Sequence, residues 1–199
     1  MVMHINPDGA QVEIFVGKNV QIESDVQFGR GVVLSAGSRV RCGAMVGAWA
    51  RIGAFSVLRE GSRIGAGCRI HEDVDVGRNA RVGAQSVIDS GARIGAGAVL
   101  PAGAIIDGFA WVPPGFRVDQ HVDLGRSDRG ERMTAFRTPG GIYISGAYVV
   151  RTLDEAEAFY RSAAYEGLPE QASMLARLAV ARAILCPPPL SPPPSTALS

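Results

Sequence analysis

An apolar residue recurs at every sixth position from Val16 to Val112 without a break, through Ile22, Phe28, Leu34 and Val40 and on to Ile94, Leu100 and Ile106. Two places before each stands a small or β-branched residue, such as Ser62 before Ile64, Cys68 before Ile70 and Ala80 before Val82. A period of six is neither the 3.6 of a helix nor the two of a continuous strand. It fits a strand of about three residues followed by a turn, repeated along the chain. The large and small apolar residues then point inward together, and the residue between them points out. That outward place is often arginine, as at Arg39, Arg51, Arg63, Arg69, Arg81 and Arg93. Gly, Asn and Asp crowd the turn places because they adopt positive φ at low cost. Pairs such as Gly65 and Gly67 therefore turn corners; a phosphate loop needs a strand–helix context that is missing here.

Three hexads make one triangular coil of eighteen residues, so residues eighteen apart stack. Ile52 is expected between Leu34 and Ile70, and Ile64 between Val46 and Val82. At the strand spacing of roughly 4.8 Å, about six coils give a rod about 27 Å long. Steps such as Val46-Gly47-Ala48-Trp49-Ala50-Arg51-Ile52-Gly53 and Arg63-Ile64-Gly65-Ala66-Gly67-Cys68-Arg69-Ile70 resemble the hexapeptide-repeat, left-handed parallel β-helix superfamily. The left hand is what that resemblance implies.

Four segments follow. Residues 1–13 are a lead-in, 14–115 the β-helix, 116–186 a small α+β appendage, and 187–199 a Pro-rich extended tail. Pro113-Pro114-Gly115 is expected to end the repeat for want of backbone donors. Beyond it, Met133–Arg137 and Ile142–Val150 read as a hairpin across Thr138-Pro139-Gly140-Gly141. Thr152-Leu153-Asp154-Glu155 is a capping box that opens a helix to about Tyr165, and a second helix spans about Glu170 to Leu185. An open β-helix end exposes strand edges, so the appendage is expected to cover the C-terminal end or to trimerise there.

Charge and cysteine use narrow the partners. Twenty Lys and Arg against 19 Asp and Glu leave no electrostatic footprint for nucleic acid. Cys42, Cys68 and Cys186 form neither a metal set nor a secreted disulfide framework, which favours a reducing compartment. No stretch approaches the ~20 apolar residues of a membrane span. The reading is a protein made in the cytoplasm, with no metal.

Proteins that this repeat resembles are mostly trimeric acyltransferases using CoA or a carrier protein as acyl donor, with a histidine as general base in a cleft between subunits. His71 is the only histidine within the coils; His4 precedes them and His121 follows. The segment Arg69-Ile70-His71-Glu72-Asp73 loosely resembles the I-x-H-[DN] segment of lipid A acyltransferases. There the histidine falls two places after the inward residue, a place that Glu72 holds here. That reading makes His71 the base, assisted by Glu72 or Asp73, with acyl-CoA as donor. The gamma-class carbonic anhydrases, also of this fold, need three zinc-binding histidines, which one coil histidine cannot supply.

A second reading rests on the lack of any loop insertion in the coils. The steps Asp119-Gln120-His121-Val122-Asp123-Leu124-Gly125 and Gly140-Gly141-Ile142-Tyr143-Ile144-Ser145, with the Thr152–Phe159 segment, are similar to hexapeptide-repeat proteins of tailed phages and prophages. That resemblance implies a non-catalytic, trimeric structural or adhesive rod without a cofactor, assembled into a virion-like particle or bound to a surface polysaccharide. Trp49, Phe55, Phe109 and Trp111 would be its contact residues. The sequence leans toward this rod, with the transferase as the alternative.

Overall fold

The computed structural model describes residues 1–106, 108–126, 132–146 and 149–186. Within the repeat each hexad forms a strand of two or three residues, and strands eighteen residues apart pair in parallel into three faces. The first face runs from Gln11–Val16 to Ile105–Ile106, the second from Gln21–Ile22 to Trp111–Val112, and the third from Gln27–Phe28 to Val99–Leu100. Ile52 pairs with Leu34 and Ile70, and Ile64 with Val46 and Val82, as the eighteen-residue rule requires. The architecture is a parallel β-helix of about five turns, consistent with the left-handed form, followed by a small α+β appendage.

The same backbone bonds recur in every coil. Arg63 N–H donates to Ala80 O at 2.8 Å and Gly65 N–H to Val82 O at 2.8 Å, both toward the next coil; Gly67 N–H donates back to Ala48 O at 2.9 Å. The N–H of the middle turn residue, Ala66 in this coil, takes no part in the pattern. Inward residues such as Ile52, Leu58, Ala80 and Ile88 are completely buried, so the coil interior is one continuous apolar column.

The repeat runs further than the prolines suggest. Pro113-Pro114-Gly115 is an ordinary corner, with Gly115 at φ +71°. Phe116 O accepts from Val99 N–H at 2.8 Å, and Val118 N–H donates to Val99 O at 2.9 Å, adding one more step to the third face. The expectation that these prolines stop the coil fails for a specific reason. Pro113 takes the place whose N–H would donate to a following coil, and Pro114 the place whose N–H has no backbone partner in the repeat. In the last coil neither loss costs a bond.

Both ends of the column are covered. At the N-terminal end Val2–Ile5 folds back antiparallel to Gln11–Val16, an element with no repeat to announce it. Buried Asn6 there imitates a strand: its Nδ2 donates to Phe28 O, and its Oδ1 accepts from Phe28 N–H, both at 2.9 Å. At the other end four antiparallel strands, Gln120–Arg126, Arg132–Thr138, Gly141–Gly146 and Val149–Thr152, form a sheet. Phe136 on this sheet is buried in the coil's own core, and Phe116 sits edge-on to Tyr143 at 4.9 Å. Met133, Ala135 and Ile144 point the other way, onto α1 (Leu153–Tyr160) and α2 (Pro169–Leu185) through Leu153, Met174 and Leu178.

Two appendage expectations need correction, and one strand had no counterpart among them. Ile142–Val150 is two strands, Gly141–Gly146 and Val149–Thr152, paired with Tyr143 opposite Thr152. α1 ends at Tyr160, short of Tyr165, because Ser162 tightens the chain onto Phe159 O through its N–H at 3.2 Å and its hydroxyl at 2.7 Å. Gln120–Arg126 is a strand that carries a bulge between Asp123 and Gly125, which breaks the alternation that would reveal it. The Pro-rich tail, 187–199, lies outside the described residues.

Candidate active site at a corner of the coil

The turn between Arg69–Ile70 on the first face and Asp75–Val76 on the second carries His71, Glu72 and Asp73. Local backbone bonding fixes it: His71 N–H donates to Ile88 O at 2.9 Å, and Asp73 N–H donates to Ala54 O at 3.0 Å. His71 O also accepts from the Ser56 hydroxyl, buried inside the coil, at 2.7 Å. The main chain of this corner is thus tied to the coils on both sides, while the His71 side chain stays half exposed at 50%.

Its neighbour in space is Asp89, one coil further on. His71 Nε2 lies 3.7 Å from Asp89 Oδ1, an ion-pair distance rather than a hydrogen bond. Glu72 and Asp73, the partners that sequence proximity suggests, sit on the same turn but are exposed, and the carboxylate that faces the ring is Asp89. Asp89 stands eighteen residues after His71, so the stacking rule reaches it; reading neighbours along the chain does not.

The same corner gathers two of the four aromatic candidates. Phe55 lies one coil before Asp73 in the stack and Phe109 two coils after it, both, like Asp73, in the left-handed turn place (φ 59°, 59° and 55°). The Phe55 ring lies on Gly37 of the preceding coil: a Cβ on that glycine would come within 2.6 Å of the ring, and Phe109 covers Gly91 in the same way at 2.5 Å. Each ring therefore fills a gap left by a glycine eighteen residues earlier, yet remains about two-thirds exposed at 65% and 63%. Trp49 repeats the arrangement over Gly31 on the corner between the third and first faces, with the Arg30 guanidinium 5.3 Å from its ring. Trp111 stands apart on the second face, opposite Arg93. No group of three or more metal-binding side chains occurs among the described residues, and no helix among them is long and apolar enough to cross a membrane.

Comparison with known proteins bears on this corner. Residues 56–90 match the family described as bacterial transferase hexapeptide (six repeats), a span that contains both His71 and Asp89. Similar solved structures include the acetyltransferase domain of PglB from Neisseria gonorrhoeae in complex with acetyl coenzyme A. That match has 20% identity and a TM-score of 0.35, covering 53% of this chain and 53% of that one. A mutant perosamine N-acetyltransferase from Caulobacter crescentus, in complex with CoA and GDP-perosamine, matches at 19% identity and TM-score 0.40, covering 52% and 53%. A Bacillus cereus protein described as a putative acetyltransferase matches at 15% identity and TM-score 0.42, covering 84% and 96%. The chain thus spans about half the length of the first two. No curated protein matches it by sequence. The family match favours the transferase alternative; the lean toward a non-catalytic rod, and its phage-like partner, find no support in these comparisons.

Proposed function

We propose that the protein is an acyltransferase that moves an acyl group from a CoA-type thioester to an amine or hydroxyl, with His71 as general base. The observation that carries this reading is the His71–Asp89 pair, 3.7 Å apart on one corner and inside the matched repeat. In the reaction, the His71 imidazole takes the acceptor's proton as the acceptor's nitrogen or oxygen attacks the thioester carbonyl. The tetrahedral adduct then expels the thiolate, and the imidazolium returns the proton to the sulfur. Asp89 faces the Nε2 edge of the ring at 3.7 Å and stabilises the imidazolium while it exists. Phe55, on the same corner, offers an apolar wall to the acyl chain. The working form is a homotrimer, so that a neighbouring copy closes the corner, which is open to solvent in a single chain.

The test is release of free thiol from acetyl-CoA in the presence of a panel of amine and hydroxyl acceptors. His71→Ala is expected to lower turnover at least 100-fold, the scale of a lost general base. Asp89→Asn is expected to lower kcat about tenfold while leaving KM for acetyl-CoA unchanged, a split that a purely structural loss would not give. Full turnover by His71→Ala, or failure of the parent protein to bind acetyl-CoA, would exclude the reading.

A further inference from the structure

The outermost layer of the appendage is apolar on its outer side. Phe136 turns one face of the four-stranded sheet onto the coil, and Met133, Ala135 and Ile144 turn the other onto α1 and α2. α2 rests on that sheet through Met174, Leu178, Ala181 and Leu185, all buried. At 3.6 residues per turn, Ala172, Ala176, Ala179 and Ala183 fall on the opposite side of the helix, which therefore looks away from the coil. All four are exposed, and Val180 and Ile184 beside them are 50% and 51% exposed.

This side of α2 carries no charge. From Ala172 to Leu185 the only polar residues are Ser173, Arg177 and Arg182. Both arginines bend back onto the appendage. Arg177 Nη1 donates to Leu124 O at 2.8 Å and to Arg126 O at 2.6 Å, and Arg182 pairs with Asp154 at 2.7 Å and Glu157 at 3.0 Å. A helix that is apolar all round belongs in an interior, yet the sheet covers only one side of this one.

The spacing of the alanines says what covers the other side. They stand 4, 3 and 4 residues apart, an order that reads the same in both directions. An antiparallel copy of α2 therefore sets Ala172 against Ala183 and Ala176 against Ala179, the self-matching contact that a two-fold axis requires. Such an arrangement also lays each helix's positive N-terminus beside its partner's negative C-terminus. A charged partner would find no counter-charge on this side, whereas a second copy meets an equally uncharged surface.

We infer that α2 docks antiparallel on α2 of a second copy, joining two molecules end to end through their appendages. Area sets the size of the assembly. The exposed side of this 17-residue helix is about 25 Å long and about 10 Å wide, so one pair buries roughly 500 Å², a third of a stable interface. Three pairs made together bury about 1,500 Å², which reaches the standard size. The assembly is thus two trimers meeting at their appendages, a count that rests on the homotrimer proposed above. A two-fold contact closes on itself and adds no further copies.

Sedimentation velocity of the whole chain tests the pairing, with a variant carrying Ala176→Glu and Ala179→Glu. Both changes fall at exposed helix positions, so its circular dichroism should match the parent. The parent is expected to sediment as six chains and the Glu variant as three, while Ala176→Ser with Ala179→Ser keeps six. A parent of two chains that falls to one in the Glu variant would uphold the pairing and overturn the trimer. A parent of three chains, or one mass for parent and Glu variant, would overturn the pairing and leave the trimer to stand or fall by that mass. Register is tested by mild oxidation in a Cys42→Ser, Cys186→Ser background. Ala172→Cys with Ala183→Cys in one chain should yield a covalent dimer, and Ala172→Cys alone should not. The reverse result would overturn the antiparallel order. His71→Ala should sediment like the parent, so this outcome is independent of the catalytic proposal.

Discussion

Ser56 and Ser62 occupy the same inward place in successive hexads, both completely buried, yet they meet different surroundings. The Ser56 hydroxyl donates to His71 O at 2.7 Å and accepts from Val74 N–H at 3.1 Å. The Ser62 hydroxyl has no partner. An unpaired buried hydroxyl carries a desolvation penalty of about 1–3 kcal/mol, and a paired one returns about 1 kcal/mol. Ser62→Ala is therefore expected to stabilise the protein by about 1 kcal/mol and Ser56→Ala to destabilise it by about the same amount, read from urea unfolding midpoints. Cysteine chemistry separates in the same way. Burial pushes the Cys68 thiol above its ordinary pKa, so it stays protonated at neutral pH, while Cys42 and Cys186 are exposed. Brief alkylation of the native protein followed by mass spectrometry should label Cys42 and Cys186 and spare Cys68. At this scale the inward and outward places were legible in the sequence, because each residue's role repeats. The pairing of His71 with Asp89 was legible only through the stacking rule, and nothing in the sequence distinguishes Ser56 from Ser62.

Among the elements, α1 has the clearest local code. Thr152 accepts from Glu155 N–H at 3.2 Å and the Glu155 carboxylate accepts from Thr152 N–H at 2.9 Å, so the capping box read from the sequence is present. Thr152→Ala should cost about 1 kcal/mol of stability by thermal unfolding. The bond from Thr152 N–H holds the Glu155 carboxyl below the usual glutamate range. A lowered folded-state pKa means that the carboxylate stabilises the helix fully above the unfolded glutamate range and loses that effect as pH falls through the depressed value. Glu155→Gln should therefore flatten the acid limb of the stability–pH curve. The start of this helix is written in four adjacent residues, whereas its end depends on Ser162 closing onto Phe159, and the Gln120–Arg126 strand on a bulge. Signals of that kind are too short and too dependent on tertiary packing to be read in advance.

Over the whole molecule, the coil and the appendage are joined by one side chain more than any other. Phe136 belongs to the appendage sheet by its backbone and to the coil by its burial. Phe136→Ala should remove about 3–4 kcal/mol and uncover the apolar end of the column, seen as a lower melting temperature together with dye binding to exposed apolar surface. The rod and its coil count follow directly from the period of six. The two end coverings do not, since Asn6 acts on Phe28, 22 residues away, and Phe136 reaches the coil core from a different sheet.

The prolines of the final coil have a meaning beyond local geometry. A stack of parallel strands is a template, and any end that keeps its donors and acceptors invites another stack to continue it. Here Pro113 places a nitrogen without a hydrogen at a corner where an incoming coil would look for an N–H donor. Continuation by a second copy would find that corner mute even if the appendage were lifted away. That corner disfavours linear growth of the stack by a second copy.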